Sequence, residues 1–375
     1  MKKYKLGDIC EIVSGSTPKT NIAEFWDGDV KWITPAELDE NTYVITDSVR
    51  KITNLAMQKT GLTAFPAGTV ILSSRAPIGK VAIAGCEMCC NQGFKNFICS
   101  EIVNNKYLYW FLKHNNAYLN SLGRGATFKE ISKSIVSSIE INLPSLEEQQ
   151  IVVDNIEKIS TIITLRKEEI SRLDDLIKAR FVEMFGEKYP EDTLLNLCNI
   201  IDYRGKTPEK VEYGLPFITA KNVKMHHMTL EPREYISKET YDKVMVRGFP
   251  KEGDVVFTTE APLGNVCRIP HFDTAFYIGQ RIVTMQTDIV NPTYLEYALS
   301  DEEFVRKYMG KSSGSTVTGI RVRLLEQLTI PVPPRALQDE FSIFVDQIDK
   351  SKATVQKALD ETQLLFDSLM QQYFG

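Results

Sequence analysis

The chain has 375 residues, 44 Lys and Arg against 49 Asp and Glu, a formal net charge of −5, and 43% hydrophobic side chains. That apolar content supports two or three folded domains and excludes a disordered chain. No apolar run approaches the roughly 18 residues of a membrane span, and Met1-Lys2-Lys3-Tyr4-Lys5 runs into Leu6-Gly7-Asp8 without a signal-peptide core, so a cytoplasmic protein with no membrane contact is expected.

The chain opens with a globular stretch, residues 1–144, of short β-branched and aromatic runs separated by turn signals. Val70-Ile71-Leu72-Ser73-Ser74 reads as a buried strand, opened by a Gly-containing turn and closed by Ala76-Pro77-Ile78-Gly79. Cys10 lies beside apolar residues and is read, like Cys198 further on, as a reduced core thiol. Cys86, Cys89 and Cys90 look like half a zinc site, but no second Cys or His pair follows at ligand spacing. They are read as structural, and no metal is expected. Tyr107-Leu108-Tyr109-Trp110-Phe111-Leu112 begins a short helix that Asn104 caps.

The apolar period changes over residues 145–186. Ser145 and Glu148 have the spacing of a capping box, and Gly186 sits where a C-terminal cap glycine belongs. Between them Val152, Ile156, Ile159, Ile163, Arg166, Ile170, Leu173, Ile177, Arg180 and Met184 alternate gaps of four and three, a sustained heptad seam.

A second globular stretch, 187–334, contains Val255-Val256-Phe257-Thr258-Thr259, again closed by Ala-Pro-x-Gly at Ala261-Pro262-Leu263-Gly264. Tyr294-Leu295-Glu296-Tyr297-Ala298-Leu299 begins its short helix. Residues 335–375 then repeat the seam with Phe341, Val345, Ile348, Lys352, Val355, Leu359, Thr362, Phe366, Leu369 and Tyr373. At 1.5 Å per residue each helix is about 55 to 60 Å long, and two equal seams are expected to pack as an antiparallel coiled-coil spacer. Arg166 and Arg180 face Lys352 and Thr362 at matching layers. They either fix register or lie at the seam edge with solvated head groups.

The second half is a copy of the first. Leu176–Gly186 aligns with Leu365–Gly375 at an offset of 189, while Trp32-Ile33-Thr34 and Phe65-Pro66 are answered by Phe217-Ile218-Thr219 and Phe249-Pro250 at about 185. A period this long is a duplicated domain, since solenoid repeats run about 20 to 50 residues. The expected fold is α+β: two duplicated globular domains joined by two long helices, with pseudo-two-fold symmetry.

The residues offer little to an enzyme. Asn291-Pro292-Thr293-Tyr294 is the nearest approach to the Asn/Asp-Pro-Pro-aromatic motif of a DNA-amino methyltransferase. Its repeat partner, Asn104-Asn105-Lys106-Tyr107, keeps only the Asn and Tyr, so both are read as capped helix starts. There is no phosphate-cradling glycine loop, and His114, His226, His227 and His271 share no pattern between the copies.

Charge is unevenly spread. Residues 1–140 hold 16 Lys and Arg against 13 Asp and Glu, whereas 141–186 hold 6 against 9 and 331–375 hold 4 against 7. A net-acidic chain binds DNA when its basic and polar groups gather on one face. The candidate face is a set of polar loops. In the first copy it comprises Ser16, Thr17, Lys19, Ser74, Arg75, Gln92, Lys95, Arg124, Thr127 and Lys129. In the second it comprises Arg204, Lys206, Thr207, Thr259, Gln280, Arg281, Lys311, Ser313, Ser315 and Thr316. Small residues let backbone N–H groups approach phosphates, and Arg, Gln and Lys reach base edges.

The helix entries Leu143-Pro144-Ser145-Leu146-Glu147-Glu148-Gln149-Gln150 and Val332-Pro333-Pro334-Arg335-Ala336-Leu337-Gln338-Asp339 resemble the Pro-Leu-x-x-Gln signature of DNA-specificity (S) subunits of type I restriction-modification systems. The second entry keeps Gln338 but has Arg335 and Ala336 where a Leu is usual. The Ala-Pro-x-Gly turns and Gly279-Gln280-Arg281 are also similar to that family, and the resemblance covers the whole chain. It implies target-recognition domains at 1–144 and 187–334 and helical regions at 145–186 and 335–375. It further implies a non-catalytic subunit that reads a bipartite, asymmetric double-stranded DNA site, one half per domain.

The partners implied are two methyltransferase (M) subunits, which bind S-adenosylmethionine, and restriction (R) subunits, which use ATP and Mg²⁺; no cofactor is implied on this chain. The alternative from the residues alone is a coiled-coil assembly protein with two protein-binding domains.

Overall fold

The structure, a computed structural model, describes residues 2–75, 77–125, 129–186, 188–203, 208–313 and 318–375. It divides into two compact units: residues 1–167 with 357–375, and residues 168–356. The helices Leu146–Phe185 and Arg335–Phe374, 40 residues each, contribute one end to each unit.

In the first unit a five-stranded sheet runs in the order Cys10–Ser14, Phe94–Cys99, Val70–Ser74, Ile78–Ala84, Val44–Ile45. Its neighbours are antiparallel except for the last, parallel pair. Val70–Ser74 is buried at every position, Ser73 and Ser74 included, as the apolar run Val70-Ile71-Leu72 between turn signals predicts for a central strand. One face of the sheet packs under the helix Asn105–His114 in a core that includes Leu72, Val81, Phe97, Leu108 and Leu112. The other face, with Ile71 and Ala82, meets Ile33, Phe65 and Met88. Cys89 and Cys90 are buried, which pushes their thiols up to about 11 and about 12.

The second unit repeats this plan. Its four-stranded sheet is Asn199–Asp202, Ile282–Gln286, Val255–Thr259, Leu263–Arg268, all antiparallel. The helix Pro292–Ser300 packs on it through Tyr294, Leu295 and Leu299.

Both short helices start as the asparagines predict. Asn104 Oδ1 accepts from the N–H of Lys106 at 2.9 Å and of Tyr107 at 3.3 Å, and Asn291 Oδ1 accepts from Thr293 N–H at 2.8 Å. Replacing Asn104 by alanine is expected to cost about 1 kcal/mol, the usual value of such a cap. Urea unfolding followed by circular dichroism measures it, and an unchanged midpoint would show that water replaces the cap.

The helix pairing is antiparallel in each unit. In the first, Val152 and Ile156 share a core with Met370 and Phe374, while Arg166 Nη1 donates to Thr362 Oγ1 and Ala358 O. In the second, Phe181 meets Phe341 edge to face at 5.4 Å and Lys352 Nζ reaches Asp174 Oδ1 at 2.5 Å. Every seam position is buried or half-buried. The polar seam residues therefore divide: Arg166 and Thr362 bond across the seam, whereas Arg180 and Lys352 reach over its edge to Glu340 and Asp174. The capping box forms, with Ser145 N–H donating to Glu148 Oε2 at 2.9 Å and Glu148 N–H to Ser145 Oγ at 3.3 Å.

Gly186 follows the last helical residue, though not with left-handed backbone. Close approach explains the glycine there, since a Cβ would lie 2.5 Å from Val182 O.

The signature glutamines are buried clamps. Gln149 Oε1 accepts from Asn104 N–H at 2.8 Å, and its Nε2 donates to Ile102 O and Pro144 O at 3.0 Å each. Gln338 Oε1 accepts from Asn291 N–H, and its Nε2 donates to Pro333 O, both at 2.7 Å. Each ties the entry of a long helix to the cap of the short helix beside it. Among the described residues no helix is long and apolar enough to cross a membrane.

Candidate nucleic-acid interface

The site in the first unit is built at the exit of strand Val70–Ser74. A register shift between Leu72 and Ser74 marks a bulge, filled by Ser73, whose Oγ donates to Pro77 O and accepts from Lys80 N–H at 2.8 Å each. Such a bulge re-aims the residues that follow. Gly79 closes the turn with a φ of 97°, and a Cβ there would meet Asn116 at 2.6 Å. That position accepts little but glycine; Ala76 of the same motif lies outside the described residues.

Four polar loops meet beyond the bulge. Ser74 N–H donates to Gly93 O at 2.7 Å and Ser16 N–H to Cys90 O at 3.1 Å. The Thr17 hydroxyl donates to Gln92 Oε1. Trp32 Nε1 pins Ser16 O at 3.0 Å and Trp26 Nε1 pins Lys19 O at 3.3 Å. The last loop closes on itself, with Arg124 N–H donating to Glu130 O and Glu130 N–H to Arg124 O, and joins the strand exit through Ile131 N–H to Ser74 O. Glu130 also lies 3.9 Å from Arg75 and 3.5 Å from Lys95, whose Nζ reaches Ser74 Oγ at 3.3 Å.

The second unit carries the same frame. Thr259 N–H donates to Arg281 O at 2.8 Å and Ile320 N–H to Thr259 O at 2.9 Å. Thr258 fills the bulge as Ser73 does, accepting from Asn265 N–H at 2.9 Å. Arg281 Nε pairs with Glu260 Oε1 at 2.7 Å, and Arg281 holds a φ of 76°, uncommon for a residue with a side chain. Thr259, Glu260, Gln280, Arg281, Ser313 and Arg321 line a cavity of about 290 Å³.

The predicted residues fall into three groups. Lys19, Thr17, Gln92, Arg124, Lys129, Arg281, Lys311 and Ser313 are exposed, and Ser16, Arg75 and Gln280 are half-buried beside them. Ser74, Lys95 and Thr259 are buried beneath the loops. Thr127, Arg204, Lys206, Thr207, Ser315 and Thr316 lie outside the described residues. Two residues of the site are not donors that the sequence singles out: Glu130, whose carboxylate pairs with Arg75 and Lys95, and Arg321. Glu130 is also the repeat position of Gly319, so a comparison of the two copies for acids as well as bases exposes it.

The family model described as "Type I restriction modification DNA specificity domain" matches residues 1–174 and again 189–362. The MjaIX specificity subunit of a type I restriction enzyme from Methanocaldococcus jannaschii is 26% identical over 394 residues, covering 98% of this chain and 90% of the relative. Among solved structures, the S subunit of a type I restriction-modification system from M. genitalium superposes with a TM-score of 0.59 at 15% identity, covering 100% of this chain and 96% of that one. A chain from a study of complex assembly in a type I R-M system gives 0.62 at 20% identity, covering 100% and 97%. At these identities the two structures establish the likeness of fold, α+β with a duplicated domain and long helices.

Proposed function

The chain belongs to the type I restriction modification DNA specificity family, and on that premise we propose that it is the non-catalytic, DNA-reading subunit of a type I restriction-modification complex. Each recognition domain, 1–144 and 187–334, reads one half of a bipartite site, and the helical regions 145–186 and 335–375 set the interval between them. The observation that carries this reading is one backbone frame bearing different side chains in the two units. Ser74 and Thr259 hold equivalent bonds, while Arg75 is answered by Glu260 and Gly93 by Arg281. A common frame with exchanged side chains suits two readers of unlike half-sites, since sequence is read by side chains at base edges.

In this reading the exposed Lys19, Gln92, Arg124 and Lys129, with Gln280, Lys311 and Ser313, touch phosphates and bases, and Arg281, paired with Glu260, meets the DNA at phosphate alone. The buried Ser74, Lys95 and Thr259 hold the loops. Thr127, Arg204, Lys206, Thr207, Ser315 and Thr316, which the sequence alone assigns to DNA contact, lie outside the described residues. The helices dock two methyltransferase subunits, which carry S-adenosylmethionine; restriction subunits with ATP and Mg²⁺ join them, and the complex works in the cytoplasm.

Gel-shift selection from randomised duplexes, with the methyltransferase subunit present, tests the reading. A preference for two short motifs separated by unspecified bases is expected. Selected DNA with no enriched motif sinks it, and capture of protein partners without nucleic acid favours a coiled-coil assembly protein instead.

A further inference from the structure

We infer that each unit locks its DNA-facing loops with one arginine–glutamate pair, and that the two units carry this lock with opposite polarity. The inference rests on the DNA-reading function proposed above and concerns how each half-site reader is held in place.

The backbone establishes which residues correspond. Ser74 N–H to Gly93 O in the first unit matches Thr259 N–H to Arg281 O in the second, and Ile131 N–H to Ser74 O matches Ile320 N–H to Thr259 O. The isolated bridges agree: Arg75 with Glu130 and Arg124 with Glu130 in one unit, Glu260 with Gly319 and Ser313 with Gly319 in the other. On this common frame the charges change places. In the first unit the cation follows the strand, as Arg75, and the acid lies across from it, as Glu130. In the second the acid follows the strand, as Glu260, and the cation stands on the loop before the last strand, as Arg281.

Each polarity leaves a glycine where the other unit has its charge. A Cβ on Gly93 would lie 3.0 Å from Asn91 Oδ1, 3.2 Å from Pro35 Cγ and 3.5 Å from Arg75 Cγ, so a side chain there would share the space beside Arg75. A Cβ on Gly319 would lie 3.1 Å from Glu260 Cβ, so an acid placed there would crowd Glu260. The gaps are reciprocal, each glycine standing where the other unit has the second charge of its pair.

These pairs add little to folding. The Arg281 and Glu260 side chains are 51% and 40% exposed, those of Arg75 and Glu130 34% and 40%, and exposed ion pairs contribute little to stability. What they do is tie the strand-exit loop to a neighbouring loop of the same frame. Glu130 and Glu260 are therefore positioning residues: Glu130 ties Arg75 at the strand exit to the loop it closes with Arg124, and Glu260 ties the strand exit to Arg281 on the loop that carries Gln280.

The full chain bound to its methyltransferase subunit, selected against randomised duplexes, tests the lock. Glu260→Gln is expected to lower discrimination at one half-site by about 5- to 10-fold, the low end of what one wrong base pair costs. The other half-site keeps its preference, and the thermal midpoint stays within about 2 °C. Glu130→Gln is expected to relax the opposite half. Combining Glu260→Arg, Arg281→Gly and Gly319→Glu, which installs the first unit's polarity in the second, restores the half-site lost in Glu260→Gln.

Intact discrimination in Glu260→Gln, or equal relaxation of both halves, overturns the inference. So does a triple variant that stays relaxed or prefers a new base, the latter because residues 260 and 281 would then read bases directly. A wild-type complex with no bipartite preference overturns the proposed function instead.

Discussion

Arg268→Ala is expected to destabilise the protein by about 3 to 5 kcal/mol, the usual cost of leaving a buried charge without its partner. Glu296, on the helix Pro292–Ser300, is 2% exposed. Its Oε2 accepts from Arg268 Nε at 2.8 Å, and its Oε1 lies 2.9 Å from His226 Nδ1. Arg268 in turn lies 3.8 Å from Asp346 and 3.6 Å from Asp349, both on the helix Arg335–Phe374. Burial by itself would lower the pKa of Arg268, but Glu296, Asp346 and Asp349 outweigh it and hold the group above its ordinary value.

Removing the guanidinium leaves Glu296 with His226 alone and takes away the link between sheet, short helix and long helix. Chemical denaturation measures the loss. A change under about 1 kcal/mol would mean that Glu296 finds water or a proton once Arg268 is gone. Arg268→Met combined with Glu296→Leu is expected to recover most of the stability, because a buried ion pair is often no better than apolar residues of similar volume.

The second large effect is expected at the buried glutamines. Gln149→Leu keeps the volume of the side chain but abandons the Asn104 N–H and the carbonyls of Ile102 and Pro144. Each abandoned buried group costs about 1 to 3 kcal/mol, and some regain water, so about 3 kcal/mol is expected for the substitution. Gln338→Leu abandons the Asn291 N–H and Pro333 O and is expected to cost about as much per group.

The two glutamines share no bonding partner, so their losses are expected to add within about 0.5 kcal/mol. Hydrogen exchange offers a local readout: the Asn104 amide is expected to lose protection in Gln149→Leu while the Asn291 amide keeps it. Equal loss at both amides would show that the clamps act through global stability rather than locally.

Much of the scaffold was legible because it is written in local patterns. The heptad spacing from Val152 to Met184 requires only that a helix turn every 3.6 residues, and every one of those positions is at least half-buried. The strand Val70–Ser74 and its copy Val255–Thr259 could be placed to the residue, because an apolar run between turn signals leaves little freedom. Asn104 and Asn291 were legible as caps since a cap bonds two or three residues ahead. Gly186 stands where a C-terminal cap glycine belongs, but crowding against Val182 O rather than a left-handed turn requires it there.

The candidate site was legible as a set of loops but not as an arrangement. Lys95 reads as a surface lysine, yet it is 6% exposed because Ser74 and Glu130 lie over it. Glu130 attracts no notice in a search for DNA-binding donors, and it meets Arg75 across 55 positions of chain.

The sequence by itself determined the duplication, the two long helices and the points where helices and strands begin, since each depends on residues a few positions apart. Only the tertiary structure decided which polar groups face one another: the glutamine clamps, the burial of Glu296 beside Arg268, and the exchanged charges at residues 75, 130, 260 and 281. Those partners are joined by backbone hydrogen bonds and packing between distant segments, and neither periodicity nor composition carries the register of such bonds.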